Sequence, residues 1–171
     1  VMVENAILFD ERSRSDLTAS MQDITDVDNP NSVAQMKQWL SDNGIETESL
    51  GKKDVAKLIE DTSGKVEDAL RLRLQLAKSS VKKHQAMQDA VCKDGRAHGM
   101  FQFYGANRSG RWAGRLIQLQ NLPQNHMKGL AEVREIVRSG DYETMELLYD
   151  DIPGALSQLI RTAFVVRDGI S

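Results

Sequence analysis

The sequence predicts a mainly α-helical fold with a small antiparallel β element. Three observations carry that expectation. Apolar residues recur at helical spacing through most of the 171 residues, one stretch near residue 100 alternates with a period of two, and the composition is ordinary for a globular chain, at 40% hydrophobic, 27% charged, 12 Gly and 3 Pro. The length suits one ordinary domain or two very small ones. No apolar run approaches the roughly 18 to 20 residues that span a bilayer. The start, Val1-Met-Val-Glu-Asn, has no basic segment and is broken early by an acid, so it does not read as a secretion signal and the expected setting is intracellular, with no membrane partner. The single cysteine, Cys92, excludes an internal disulfide, and His84, His98 and His126 are too far apart in sequence for a metal site of local spacing. Redox and zinc chemistry are therefore not expected.

The elements follow in order. A helical segment over about 3–22 leads to the turn cluster Asp28-Asn-Pro-Asn-Ser32. Ser32 with Gln35 three residues later has the form of a capping box, opening a helix through Val33, Met36, Trp39 and Leu40 that Gly44 is suited to end. A shorter helix is expected at about 52–60. From Lys65 to about Val91 a single long helix is expected, with Thr62-Ser63 as caps and Asp94-Gly95 as the stop. Val66, Leu70, Leu74, Ala77, Val81, Met87 and Val91 would form its buried face. Beside that face, Arg71, Gln75, Lys78, Lys82 and Gln85 would make an exposed stripe about 40 Å long at 1.5 Å per residue. Residues 96–104 alternate as a strand, the 105–110 turn reverses the chain, and Arg111 onward reads as a second extended segment in which a glycine permits close approach. Past Pro123, helices are expected at about 127–138, 141–149 and 154–162, and an extended segment begins at Arg167 and is cut off, which reads as the boundary of a fragment.

The net charge of −3 hides an uneven distribution. Residues 71–115 hold ten Lys or Arg against Asp89 and Asp94, a local balance of +8, while residues 1–70 stand at −8 and residues 116–171 at −3. A basic band in an acidic chain is what a polyanion site requires, because local potential attracts phosphate. A solvated helix face would show the same band.

The stretch RAHGMFQFYGANRSGRWAGRLIQLQNLP, residues 96 to 123, resembles a signature of family A DNA polymerases. Arg96-Ala-His98, Gly110-Arg111 and Leu119-Gln-Asn-Leu-Pro123 match in order, with Asn121 ten residues after Arg111. Asp28-Asn-Pro-Asn-Ser32 is similar to the turn before that family's thumb helices, Leu76-Ala-Lys78-Ser-Ser-Val-Lys-Lys83 to its long thumb helix, and Leu159-Ile-Arg-Thr-Ala-Phe164 with Asp168-Gly169 to the segment before its first catalytic strand. The pattern departs at Trp112-Ala-Gly114, where small hydroxyl residues are usual, at Gln118 and Asn125, and in a helical insert from Asn125 to Leu156.

The resemblance implies a thumb-like helical region over 1–94, with a DNA-gripping helix at about 65–92, and a partial palm over 95–171. It implies a primer-template duplex as partner, held at phosphates by Lys78, Ser79, Ser80, Lys82 and Lys83. Minor-groove or primer-template contacts would come from Arg96, Arg111, Arg115, Gln118, Gln120 and Asn121, since minor-groove acceptors occupy nearly the same place in every correct pair. The remaining palm and fingers would be further partners. Mg²⁺ would be the cofactor of the intact parent, in the cytoplasm of a bacterial or phage-infected cell. No carboxylate pair of the kind two-metal phosphoryl transfer needs stands out, so the fragment by itself is expected to be inactive. His98 and Asp150-Asp151 read as structural, Trp39 and Trp112 as core residues, and Cys92 as a small hydrophobe. The alternative function is a non-catalytic helical protein-interaction module.

Overall fold

The computed structural model describes residues 1–79, 81–106, 108–122 and 124–164; Ser80, Asp168 and Gly169 lie outside the described residues. The helices are α1 (Met2–Thr25), α2 (Val33–Asp42), α3 (Lys52–Asp61), α4 (Lys65–Leu76), α5 (Lys82–Ala90), α6 (Leu130–Ser139), α7 (Tyr142–Leu148) and α8 (Ile152–Leu159). Strands β1 (Phe101–Ala106) and β2 (Arg111–Gly114) pair antiparallel, and 3₁₀ turns cover Leu119–Asn121 and Ile160–Ala163. The mainly helical expectation with one small antiparallel sheet holds. Two compact units result, one made of Val1–Asp10 with the chain from Ser79 onward, the other of Glu11–Lys78.

In the unit of Glu11–Lys78, α3 and α4 pack through Val55 and Leu70, joined by Leu40 of α2, with Trp39, Leu58 and Val66 partly buried against them. Each fully buried leucine contributes about 1.5–3 kcal/mol relative to exposure. Ser32 caps α2 by accepting from the Gln35 N–H at 3.5 Å, while the Gln35 amide oxygen accepts from the Asn29 N–H at 2.9 Å. The expected box is therefore half formed, and its second arm reaches back to the turn. Gly44 ends the helix at φ 80° as expected. Neither Thr62 nor Ser63 caps α4; Gly64 occupies that position, and the Thr62 hydroxyl instead donates to the Leu58 carbonyl at 2.7 Å, closing α3.

The long helix expected from Lys65 to Val91 is two helices. The chain leaves helical geometry between Leu76 and Lys82, where Ser79 sits in a non-helical stretch. Two forces act at that point. Serine weakens a helix interior by offering the backbone a competing hydrogen bond, and the Arg14 guanidinium donates to the Leu76 and Lys78 carbonyls at 3.0 and 2.7 Å, satisfying the exposed end of α4. Of the anticipated buried face, Leu70, Val81 and Met87 are buried, whereas Ala77 and Val91 are exposed. The continuous stripe is likewise lost. Arg71, Gln75 and Lys78 belong to one unit and Lys82 and Gln85 to the other, and Arg71 is already paired with Glu67 at 2.6 Å.

In the unit built from Val1–Asp10 and the later residues, α6, α7 and α8 enclose the larger core. Val133 and Val137 on α6, Tyr142 and Met145 on α7, and Ala155, Leu156 and Leu159 on α8 meet Ala6 and Phe9 of α1. Phe9 and Tyr142 stand edge to face at 5.2 Å. Both late helices start on aspartates: Asp141 accepts from the Thr144 N–H and hydroxyl, and Asp151 accepts from the Gly154 N–H at 3.0 Å. The Asp150-Asp151 pair thus serves as a loop and helix cap, as expected. A second cluster of Met87, Met100, Ile117, Leu122 and Ile160 carries the hairpin and the segment after it.

Candidate nucleic-acid interface

The segment from Arg111 to Asn121 is folded around Ile117, which is 1% exposed. Leu116 and Gln118 on either side take left-handed backbone angles, φ 53° and 51°. Such angles cost a non-glycine residue of order 1–3 kcal/mol, so the packing of Ile117 must over-determine them. The two kinks turn Leu116 and Gln118 outward and leave the Ile117 carbonyl accessible to Lys83 of α5, whose ammonium donates to it at 3.2 Å. The basic helix is thereby tied to the motif segment inside one unit.

Gln118 at the kink and the Leu119–Asn121 turn after it together present three amide side chains. Asn121 donates from Nδ2 to the Gln118 side-chain oxygen at 3.0 Å, and the Asn121 N–H bonds the Gln118 carbonyl at 2.8 Å. Gln120 lies over Gly114: a Cβ at position 114 would fall 2.1 Å from the Gln120 amide oxygen and 2.5 Å from its nitrogen. The close approach anticipated at this glycine is therefore made by the chain's own Gln120. Replacing Gly114 by Ala should displace the Gln120 amide at little cost in stability, because the far end of a flexible side chain can move. Duplex affinity measured beside thermal stability checks this, with a drop in the first and a change of less than about 1 kcal/mol in the second.

The remaining expected site residues are spread out. Arg111 opens β2 opposite Ala106 and is exposed, and Arg115 is exposed while its N–H donates to the Met100 carbonyl at 2.8 Å. Arg96 is exposed beside the isolated Val91–Ala97 bridge, and its N–H donates to Asp94 at 3.1 Å. Lys82 is exposed at the start of α5. Lys78 is half-buried in the other unit with its carbonyl held by Arg14, Ser79 is exposed at the helix break, and Ser80 lies outside the described residues. The structure thus brings together Lys83, Gln118, Gln120 and Asn121, with Arg111 and Arg115 on the adjoining strand and its exit.

Two features differ from the sequence reading. Trp112, expected in the core, is 62% exposed, and Phe103 and Tyr104 are exposed beside it. Cys92 is also exposed rather than a buried small hydrophobe. Its thiol, the Asp94 carboxylate and the His98 ring have ligand atoms within 4.8 Å of one another, the one such group of three or more among the described residues. The Asp94 carboxylate accepts from His98 Nε2 at 2.8 Å, and that hydrogen bond, with one from the Arg96 N–H, holds the Asp94 carboxyl below its usual pKa. Spacing between histidines could not reveal this group, because its donors are of three different kinds. A thiolate and an imidazole suit a softer ion than Mg²⁺, so these residues do not fit the cofactor that the resemblance implies.

Comparison with known proteins supports the DNA polymerase part of the motif reading. Over 169 residues, 98% of this chain, the sequence is 48% identical to a DNA polymerase of Bacillus phage SP02. The chain spans 26% of the length of that relative. No family model matches the chain, and no solved structure does. No helix among the described residues is long and apolar enough to cross a membrane.

Proposed function

We propose that this chain is the duplex-gripping part of a DNA-directed DNA polymerase of family A, comprising the thumb and the start of the palm. The observation that carries the reading is the 48% identity to a phage DNA polymerase, which runs over 169 residues and so takes in the motif segment almost whole. The tie between Lys83 of α5 and the Ile117 carbonyl supports it, since it joins the basic helix to the segment that leads into the amide-bearing turn. In this reading Lys82 contacts backbone phosphates, and Arg111, Arg115, Gln120 and the Gln118–Asn121 pair face the minor groove, where donors meet acceptors common to all correct pairs. Nucleotidyl transfer and its Mg²⁺ ions belong to the remaining palm and fingers.

Duplex binding tests the reading. The chain should bind primer-template without sequence preference, and affinity should fall by roughly 0.9 log unit per log unit of salt for each phosphate contacted. A salt-independent affinity, or none in a mobility-shift assay, would contradict it. The rival reading as a helical protein-interaction module has one feature in its favour, the exposed Leu147 and Leu148 on α7. Under that reading duplex DNA produces no shift.

A further inference from the structure

The β hairpin carries three aromatic rings that the duplex reading does not use. Ala106 pairs with Arg111 and Gln102 with Ala113, so three residues of β1 bulge outward against Trp112 alone on β2. Tyr104 within this bulge adopts φ 54°, a left-handed angle that a bulky aromatic residue rarely takes. The bulge breaks the strict alternation of the strand, and both Phe103 and Tyr104 end up on the surface, 72% and 61% exposed. Phe103 stands edge to face with Trp112 at 5.2 Å and lies 6.3 Å from the Tyr104 ring. Gly110 provides the bed for that tyrosine, since a Cβ there would fall 2.8 Å from the ring. Two rings on a strained bulge and a third on the facing strand thus lie together on the surface.

The charge around the rings points to their occupant. No acidic residue occurs from Gly95 to Ala131, whereas Arg108 and Arg111 bracket the turn and Arg115 follows β2. Aromatic faces interleaved with cations are the elements of a single-strand platform, on which bases stack while phosphates are neutralised, with little regard to sequence. We propose that Phe103, Tyr104 and Trp112 form a stacking surface for unpaired bases of a single-stranded polynucleotide. The proposal rests on the DNA-binding reading above and shares Arg111 and Arg115 with it, but its stacking rings are side chains which that reading leaves unused, and it concerns a different form of DNA.

A chain with Trp39→Phe leaves Trp112 as its sole tryptophan and reports the contact directly. Oligothymidylate and an abasic oligonucleotide of equal length present the same phosphates, and only the first offers rings. Oligothymidylate should quench Trp112 fluorescence and bind about tenfold or more tighter than the abasic strand. Phe103→Leu and Trp112→Leu, which keep apolar bulk at exposed positions but remove the π face, should abolish that difference in a mobility-shift assay while leaving blunt-duplex binding unchanged. Equal affinity for the two strands, with duplex binding intact, would overturn this proposal and leave the duplex reading standing. Failure to bind any of the three DNAs would overturn both. Self-association that Trp112→Leu abolishes, without a response to oligothymidylate, would identify the rings as a protein interface and likewise overturn the stacking role.

Discussion

In a full-length polymerase containing this chain, Arg111→Ala is expected to slow primer extension by about ten- to a hundredfold, the range that corresponds to losing one charge-assisted hydrogen bond of about 1.5–3 kcal/mol. The guanidinium is exposed at the start of β2, so its removal leaves no buried hole and the stability of the fold should be unaffected. Duplex affinity should fall less than the extension rate, because geometry at the primer end is lost while phosphate contacts elsewhere persist. Lys82→Ala should show the opposite balance, weakening binding with a smaller effect on the rate of bound complexes. Single-turnover extension with separately measured dissociation constants distinguishes the two. Unchanged extension in both variants would refute the roles assigned to them.

Acid should destabilise the unit that contains His84. This side chain is fully buried on α5, and neither ring nitrogen completes a hydrogen bond among the described residues. Burial pushes its pKa below the ordinary value, with the Val81 backbone and the Asp10 carboxylate pulling weakly the other way. The unfolded chain therefore binds a proton more readily than the folded one. Stability is complete above the unfolded value of about 6.5 and declines as pH falls below it toward the depressed folded value. Thermal melts between about pH 7.5 and 5 should show this decline, and His84→Leu, which cannot take up a proton, should flatten it over the same window. A wild-type melting temperature independent of pH across that interval would refute the assignment.

Most helices were legible because their burial follows a 3.6-residue period that propensity does not oppose. The spacing of Leu130, Val133 and Val137 is an example, with Gly140 capping the helix. The break at 77–81 was not legible, because its apolar spacing continues unbroken through a point where a distant arginine, Arg14, captures the free carbonyls. Trp112 was misplaced because a large aromatic residue is ordinarily read as core, and nothing in the sequence marked the bulge at 103–105 opposite which its ring lies exposed. Motif spacing marked Arg111, Gln120 and Asn121, yet it could not show that Gln118 and Asn121 share a hydrogen bond or that Gln120 rests on Gly114, since those contacts follow from the left-handed turns at Leu116 and Gln118.

The bond from Lys83 to Ile117 has a consequence for how alanine scans at this surface are interpreted. An ammonium engaged by a main-chain oxygen is partly withdrawn from the pool that electrolyte can displace, so Lys83 should add less to the salt slope than its neighbour Lys82. Truncating it loosens the loop that carries the amides as well as removing a cation, and a loss of affinity at position 83 therefore mixes architecture with recognition.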